Sequence, residues 1–272
     1  MTDRQELAGR VAVVTGGTRG VGAGIVRALL GAGAEVVAAA RRPPAAPLEA
    51  AGRAAEFRAL DVRDPDAGAA LLAQVAAEHG RLDLLVNNAG GTPYLPLAEG
   101  SAARHLRVLE LNLLAPLLLS RAAHALMDRQ PEGGGIVMIG SVSGQRPSPG
   151  SAAYGAAKAG LDQLARSLAV EWAPRVRVNT LVLGMVRTEA SALHYGDEEG
   201  IAAVARTVPL GRLARPEEVG DACVFLASPR AAYISGASLL LHGGGERPAF
   251  LDAANADHDG NHANNHANEK ES

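Results

Sequence analysis

Tyr154 and Lys158 stand four residues apart in the sequence. On a helix, this spacing places both side chains on the same face. A tyrosine hydroxyl can give a proton to an alkoxide, but its unperturbed pKa of about 10 makes it a poor base at neutral pH. A neighbouring ammonium group would favour the phenolate and lower that pKa. The pair could therefore exchange a proton with an alcohol or a carbonyl compound, although an ordinary solvated helix face would show the same spacing.

Lysine is rare in this sequence. Of the 26 lysine and arginine residues, only Lys158 and Lys270 are lysines. Where a general positive charge would suffice, the chain uses arginine. A lysine inside the folded region therefore suggests a role specific to a compact ammonium group with three donors, with chance as the alternative.

A glycine-rich turn, 15–22, follows the first apolar run and precedes a helical pattern. Its spacing is Gly-x-x-x-Gly-x-Gly, and glycine lets a backbone approach a pyrophosphate without a Cβ in the way. The helix that follows offers free N–H groups and a partial positive charge to the same anion. We expect a dinucleotide cofactor here, although such turns also serve packing alone. The candidate binding residues of the turn are Gly16, Thr18, Arg19, Val21 and Gly22.

The end of the second predicted strand indicates which dinucleotide binds. An acidic residue at this point would accept hydrogen bonds from the adenosine ribose and repel a 2′-phosphate. The sequence instead continues from Ala40 to Arg41 and Arg42. Arg41 could bind a 2′-phosphate bidentately, and Arg19 could approach from the other side. The pattern favours NADP(H) over NAD(H), with two ordinary surface arginines as the alternative.

Polar residues also follow the third and fourth predicted strands. Asp61, with Val62 beside it, is placed to accept a hydrogen bond from the adenine amino group. The segment 87–90 could brace the turn or contact the adenosine ribose, through Asn88, Ala89 and Gly90. Asp and Asn are also common in turns for purely local reasons.

Apolar runs alternate with helical patterns along the chain, which predicts an α/β protein: a single Rossmann-like, doubly wound parallel sheet with helices on both faces. Ligands of such a sheet bind outside the carboxyl ends of its strands. Strands are predicted over 11–15, 35–40, 54–60, 82–86, 135–140, 176–181 and 237–241. Helices are predicted over 21–30, 66–78, much of 101–129, 152–172 and 216–227.

Two stretches depart from this alternation within a predicted single domain, 1–247. Residues 188–209 carry a short helical pattern where a substrate lid could lie. Residues 248–272 are rich in Asn, His, Asp and Ala and are predicted to form a disordered tail. His258, His262 and His266 could hold a metal ion at four-residue spacing, but helix formation is unfavourable there, and we predict no metal site.

Composition excludes several classes of protein. The formal net charge is −3, so no large basic field exists to attract nucleic acid or an anionic membrane. A single cysteine cannot form an intramolecular disulfide, and the charged N-terminus shows no secretory signal. No apolar stretch approaches the length of a membrane span. These observations predict a cytoplasmic globular protein that acts on a small molecule.

Taken together, the order and separations of these motifs resemble the single-domain branch of the short-chain dehydrogenase/reductase family. The resemblance rests on the glycine turn 15–22, the segment 87–90, Asn112, Ser141, Tyr154 and Lys158. It runs from about Leu7 to Gly245 and includes 211–219, which is similar to the family's entry to its last helix. The related 3-oxoacyl-thioester reductases and hydroxysteroid dehydrogenases set the expected substrates: a hydrophobic ketone or a 3-oxoacyl thioester, and the corresponding alcohol.

The resemblance implies a role for each matching residue. Tyr154 is the expected acid and base, and Lys158 lowers its pKa and holds the nicotinamide ribose. Ser141 is expected to bind the substrate oxygen, with Ser143 as a rival, and Asn112 to support a water chain to Lys158. Val186, through its backbone, and Thr188 are expected to meet the nicotinamide carboxamide. The family also implies a homo-oligomer, a tetramer or a dimer, with the helices over 101–129 and 152–172 at an interface.

Two positions depart from the family pattern. Leu183 precedes Gly184 where the family usually has proline, and His242 precedes three glycines where the family usually has aspartate. Neither position belongs to the expected catalytic set, so they weaken only the inference about substrate. A catalytically silent dinucleotide-binding sensor or scaffold remains the alternative function. A sugar-nucleotide epimerase is a third, but the chain lacks length for its separate substrate domain.

Overall fold

The strands form from the buried, near-continuous apolar runs of the sequence, as is usual where both faces of a sheet are covered. The computed structural model describes residues 5–246 and 248–249. In chain order the strands are β1 (Val11–Thr15), β2 (Glu35–Ala40), β3 (Glu49–Ala50), β4 (Arg53–Ala54), β5 (Glu56–Ala59), β6 (Leu84–Asn87), β7 (Gly134–Ser141), β8 (Val176–Leu183) and β9 (Ser238–Leu241). Within these residues, seven strands form one parallel sheet in the order β5-β2-β1-β6-β7-β8-β9. The predicted doubly wound α/β fold is confirmed.

Helices cover both faces of this sheet. They are α1 (Gly20–Gly31), α2 (Pro65–His79), α3 (Ala102–Leu109), α4 (Ala115–Met127), α5 (Ala152–Glu171), α6 (Ser191–Tyr195), α7 (Glu198–Thr207) and α8 (Pro216–Ala227). One core lies between the sheet and α2, α4 and α5, and the other lies between the sheet and the α1–α8 pair. Val11 and Val13 face the first core while Ala12 and Val14 face the second, as the two-residue period of a strand requires.

The close approach of α1 to α8 depends on glycine. A Cβ at Gly24 would lie 2.4 Å from the carbonyl carbon and Cβ of Pro216. Because contacts this short do not occur between real atoms, only glycine lets the first turn of α8 pack on α1. This contact fixes the position of the helix that follows the glycine turn.

Several predicted boundaries are wrong. The third strand is predicted over 54–60 but covers only Glu56–Ala59, and the small β3–β4 hairpin before it was not predicted. The fourth is predicted over 82–86 but covers Leu84–Asn87. The long helix over 101–129 is divided by a π-helical turn at Glu110–Leu114. Helices α6 and α7 lie within 188–209, where a short helical pattern was predicted.

The predicted tail lies almost entirely outside the described residues, since only Pro248 and Ala249 are described beyond Glu246. His258, His262 and His266 lie outside them as well. None of the helices in the described part of the chain combines the length and the apolar character that a membrane span requires.

Candidate active site

Tyr154 and Lys158 lie in the first turns of α5, beside the end of β7. The Lys158 Nζ is 5.6 Å from the centre of the Tyr154 ring and donates a hydrogen bond of 2.7 Å to the carbonyl oxygen of Ile139. Lys158 is only 4% exposed. An ammonium group has three donors, and this carbonyl is the one acceptor that the described residues offer it. Lys158 is therefore a buried cation with spare hydrogen-bonding capacity.

Ser141 is the last residue of β7, and glycines bring the turn after it against α5. A Cβ at Gly144 would lie 2.6 Å from the amide nitrogen of Ala159, and one at Gly155 would lie 2.7 Å from the carbonyl oxygen of Ser143. This packing places the Ser141 hydroxyl close enough to Tyr154 to lower the pKa of the tyrosine through a hydrogen bond. The Ser143 amide donates to the Ser141 Oγ over 3.2 Å. Of the two rival serines, Ser141 is thus the one whose side chain acts on Tyr154.

Burial dominates the electrostatics of the pair. It raises the pKa of Tyr154, and the Ser141 hydroxyl offsets part of that rise. It also lowers the pKa of Lys158 to about 8, because the charged ammonium has lost most of its hydration. The pKa of Tyr154 is thus raised on balance and not lowered as expected, because loss of hydration disfavours the phenolate more than any other effect. Tyr154 is held protonated at neutral pH, the form that donates a proton.

Asn112 lies inside the π-helical turn and is fully buried. Its amide nitrogen donates to the carbonyl oxygens of Gly91 and Val108, each over 2.9 Å, and its amide oxygen accepts from the Gly91 amide. A Cβ at Gly90 would lie 2.7 Å from that oxygen and 3.5 Å from the Lys158 Nζ. The Asn112 side chain thus positions the loop that borders Lys158. Its predicted part in a water chain stays a prediction.

The glycine turn is joined to the end of β6 through Thr15. The Thr15 Oγ1 accepts from the amides of Asn88 and Ala89, each over 3.0 Å. The Asn88 side chain donates in return to the carbonyl oxygens of Thr15 and Gly16, over 2.9 and 3.2 Å. Thr15 is not among the predicted binding residues. A hydroxyl at the end of an apolar strand was the one signal that could have identified it.

This turn fits the phosphates of a dinucleotide. Gly16 has a φ of +62°, and a Cβ at Gly22 would lie 2.1 Å from the carbonyl oxygen of Gly16. The residue before α1, Arg19, makes no capping hydrogen bond through its side chain. The first N–H groups of a twelve-residue helix therefore lack a side-chain acceptor, the usual condition for binding an anion. Thr18 and Val21 lie in the same turn.

Asp61 and Arg41 lie at the adenosine end of this edge. The Asp61 carboxylate accepts from the Arg63 guanidinium over 3.0 and 2.6 Å and from the Arg63 amide over 3.1 Å. These Arg63 hydrogen bonds are the main reason that the pKa of Asp61 falls to about 2. The charge of Arg41 contributes to the same shift, so Arg41 lies near this pair. Sequence reasoning missed Arg63, which engages the carboxylate expected to meet the adenine; Val62 between them is buried.

The segment after β8 returns to the glycine turn. A Cβ at Gly20 would lie 3.4 Å from the Thr188 Cγ2, so Thr188 borders the start of α1. The Thr188 amide donates to the Ser191 Oγ over 2.9 Å, and Val186 forms a β-bridge with Ala214. The root of the predicted lid is thus anchored beside the turn.

The two departures from the family pattern lie next to each other. Leu183 ends β8 and pairs with Leu241, the residue before His242. A Cβ at Gly184 would lie 2.7 Å from the Cβ of His242, so the histidine packs directly over this glycine. Both positions therefore shape the backbone where the lid begins.

Comparison with known proteins shows which family the chain belongs to. A family model described as enoyl-(acyl carrier protein) reductase matches residues 16–246. The chain is 42% identical over 247 residues to cis-4-hydroxycyclohexanecarboxylate dehydrogenase of Sinomonas cyclohexanicum, covering 88% of this chain and 98% of that protein. It is 38% identical over 241 residues to 3-oxoacyl-[acyl-carrier-protein] reductase of Vibrio cholerae, covering 88% and 98%.

Solved structures agree. The ligand-free aldohexose dehydrogenase of Thermoplasma acidophilum superposes with a TM-score of 0.82 at 29% identity, covering 88% of this chain and 95% of that one. A short-chain alcohol dehydrogenase from Sinorhizobium meliloti, described as putative in its title, gives 0.79 at 33% identity, covering 89% and 98%. The chain belongs to the short-chain dehydrogenase/reductase family and is an oxidoreductase that acts on the CH–OH group of its donors.

Proposed function

We propose that this enzyme interconverts a secondary alcohol and a ketone with NADP(H), using Tyr154 as acid and base. The observation that carries the proposal is the trio of half-buried Ser141 and Tyr154 with buried Lys158, in which the tyrosine is held protonated and the lysine keeps unused donors. Two relatives support the substrate class, since one is named for a cyclic hydroxy acid and the other for a 3-oxoacyl thioester. A hydrophobic ketone or a 3-oxoacyl thioester is therefore the proposed substrate.

The residues divide the chemistry between them. A bound nicotinamide cofactor supplies the hydride in reduction and accepts it in oxidation. The Ser141 hydroxyl holds the substrate oxygen, and Tyr154 gives that oxygen a proton as it becomes an alkoxide. The Lys158 ammonium, through its two remaining donors, holds the nicotinamide ribose and stabilises the phenolate left on Tyr154. Thr188 and the Val186 backbone meet the carboxamide.

The preference for NADP(H) is supported by charge at the adenosine end. Arg41 is exposed, and Arg63 occupies the nearby Asp61 carboxylate. Two guanidinium groups and one carboxylate leave a net positive charge where a 2′-phosphate would lie. Arginine suits this task because its planar donors match phosphate oxygens.

The enzyme is also proposed to act as a homo-oligomer. Leu106 and Leu114 are exposed near the π-helical turn, and Val170 is exposed at the end of α5. Apolar side chains on the helices that the family uses for contact support an interface there. Sedimentation of the purified protein measures its oligomeric state.

A substrate screen followed by NADPH absorbance tests the proposed reaction. It compares 3-oxoacyl thioesters, cyclic ketones, steroid ketones and, as a contrast, enoyl thioesters. We expect turnover of ketones, and Tyr154→Phe should lower kcat by about 10³-fold because no other group can donate the proton. NADPH binding, followed by fluorescence, should be retained by the variant.

Three outcomes would contradict the proposal. Substantial residual turnover by Tyr154→Phe would remove its acid and base role. Turnover of enoyl thioesters alone would move the reaction to a carbon–carbon double bond. NADPH binding with no turnover of any compound would favour the silent sensor or scaffold.

A further inference from the structure

An ion pair joins two segments that are far apart in the sequence. The Arg146 Nη2 donates to the Glu246 Oε1 over 2.5 Å, across a separation of 100 residues. Arg146 lies five residues after Ser141, in the segment between β7 and α5, and Glu246 lies five residues after the end of β9. The only other hydrogen bond of the Arg146 guanidinium within the described residues is to the carbonyl oxygen of Pro147, over 3.0 Å.

The lid meets the same pair. Tyr195, the last residue of α6, is half-buried. Burial raises the pKa of its hydroxyl, the charge of Glu246 raises it further, and the charge of Arg146 lowers it. Such influences require the phenol to lie close to both charged groups. Three separate segments therefore converge on Arg146.

Two of these segments follow the carboxyl ends of neighbouring parts of the sheet, after β7, which ends at Ser141, and after β9. The Arg146 segment is held on α5 by the contacts of Gly144 and Gly155 described above. The Glu246 segment starts where His242 packs over Gly184, at the carboxyl end of β8, and the Gly243 carbonyl oxygen accepts from the amide of Leu210, the residue after the lid. The Arg146–Glu246 pair thus lies between the lid and the segment that joins Ser141 to Tyr154, next to the residues proposed to meet the substrate oxygen.

The pair is exposed enough to exchange partners. The side chains of Arg146 and Glu246 are 39% and 35% exposed. An ion pair hydrated to this extent contributes little to stability, so losing it costs the protein little. A guanidinium binds any carboxylate with the same geometry, and a carboxylate brought by a substrate can take the place of Glu246.

We propose that Arg146 selects substrates that carry a carboxylate, which displaces Glu246 from the guanidinium. This inference rests on the proposed ketone reduction and names the substrate class for that same site. Glu246 then acts as an internal competitor, which occupies Arg146 when no anionic substrate is present. A pair that merely ties the end of β9 to the β7–α5 segment is the opposing interpretation.

The two interpretations predict different effects of removing each partner. If the pair only ties two segments together, Arg146→Gln and Glu246→Gln break the same contact and have the same effect. If Arg146 binds the substrate, loss of Arg146 weakens binding of an anion, whereas loss of Glu246 frees the guanidinium and strengthens it. The sign of the second effect therefore decides between them.

The experiment measures KM and kcat for keto acids and for their methyl esters, which keep the same carbon skeleton without the charge. 4-Oxocyclohexanecarboxylate and a medium-chain oxo acid are the probes, each with its ester, for the wild type, Arg146→Gln, Glu246→Gln and Arg58→Gln. Arg58→Gln is a matched control, because Arg58 forms ion pairs with Glu56 on β5 and Glu78 on α2. β5 and β9 lie at opposite ends of the strand order, so this control lies far from Glu246.

For the acids, Arg146→Gln should raise KM by about 10-fold or more, the usual effect of losing a charge-assisted hydrogen bond. Glu246→Gln should lower KM for the acids by about threefold, and the esters should change by less than about twofold in all variants. kcat should stay within about twofold, because the chemical step is unchanged.

Equal treatment of acid and ester by the wild type would overturn the inference while leaving ketone reduction intact. A KM that moves in the same direction in Arg146→Gln and Glu246→Gln would overturn it in favour of the structural tie. Absence of turnover for every ester and every acid would refute the proposed function, and this inference with it.

Discussion

Buried charged groups have different partners at the two ends of the parallel strands, here called the amino edge and the carboxyl edge of the sheet. At the amino edge, Asp83 accepts hydrogen bonds from Arg10 and Arg81 over 2.7 Å and from the Val11 amide over 2.9 Å. At the carboxyl edge, Lys158 is buried as well, but a single carbonyl oxygen is its partner among the described residues. The protein satisfies the first charge by itself and leaves the second with capacity for something else.

Uncharged polar groups differ between the two edges in the same way. At the amino edge, the Gln130 side chain joins the strand ends by donating to the carbonyl oxygens of Leu82 and Gly133 and accepting from the Leu82 amide. At the carboxyl edge, α1 begins without a side-chain cap. Because buried polar groups are costly unless they are satisfied, the amino edge should contribute stability and the carboxyl edge should bind ligands at the expense of stability.

Lys158→Met gives the largest expected effect. Turnover should fall by about 10³-fold, since the phenolate of Tyr154 loses its neighbouring cation. The cofactor-free protein should gain as much as about 3 kcal/mol in free energy of unfolding at neutral pH, because each pKa unit by which burial lowers the ammonium's pKa is worth about 1.4 kcal/mol. Steady-state kinetics measure the fall in turnover, and urea unfolding of the cofactor-free protein measures the gain in stability.

The same variant can be tested by pH. The pKa of Lys158 falls from 10.5 in the unfolded chain to about 8 in the folded protein. The folded state therefore binds fewer protons between these values, and stability from this group is lowest below pH 8 and rises through that window. The variant should lack this rise. An unchanged pH dependence, or a loss of stability at pH 7, would place Lys158 with the satisfied groups of the amino edge.

Asp83→Asn should have the opposite signature. The variant should lose about 2–3 kcal/mol in free energy of unfolding, because it leaves two arginines without their buried carboxylate. Its kcat and KM should match the wild type when both are measured at about 25 °C, well below the usual Tm of folded domains. If the variant is fully folded and still turns over more slowly than the wild type, the amino edge affects catalysis, and the proposed division of roles between the two edges is wrong.

Acid should reduce the difference between this variant and the wild type. Burial raises the pKa of Asp83, but the hydrogen bonds from Arg81, Arg10 and Val11 outweigh it, and the net shift is downward from 3.8. The stability that this carboxylate supplies is present above its unfolded pKa and is lost as pH falls through the lower folded value. Urea midpoints measured from neutral to acidic pH should converge.

Arg41→Asp should change ligand choice without a matching loss of stability. Replacing the guanidinium by a carboxylate removes a partner for a 2′-phosphate and repels it, so the ratio of kcat/KM for NADPH to that for NADH should fall by about 10-fold or more. The free energy of unfolding should change little, since Arg41 is exposed. An unaltered cofactor ratio would remove the argument for NADP(H), and Arg42→Asp is the matched control at the next position.

Sequence was sufficient for elements whose pattern is local. The apolar runs of β1, β2 and β7 and the glycine turn after β1 lie where the two-residue period and the strand-to-helix change predict them. Parallel strands bring their carboxyl ends to one edge, which predicts where ligands bind; that Ser141 acts with Tyr154 was expected only from the family resemblance.

Features that depend on tertiary contact were not predictable. The β3–β4 hairpin consists of two-residue strands, too short for any period. The π-helical turn at Glu110–Leu114 carries an apolar sequence like that of an α-helix, so only the backbone of the folded chain reveals it. The ion pairs Arg63–Asp61 and Arg146–Glu246 could be identified only in the folded chain. Arginine is common in this sequence, so its position does not indicate which carboxylate it will meet.

Glu198→Gln is the smallest expected effect and the sharpest check of what separates the edges. The Arg187 Nη2 reaches both carboxylate oxygens of Glu198, over 2.7 and 2.9 Å, which matches the distances between Arg81 and Asp83. The carboxylate of Glu198 is 80% exposed, however, and that of Asp83 only 7%. Exposed ion pairs contribute about 0–1 kcal/mol, so this variant should lose less than about 0.5 kcal/mol in the same urea titrations. If it loses as much as Asp83→Asn, distance alone sets the value of these ion pairs, and burial is not what distinguishes the amino edge.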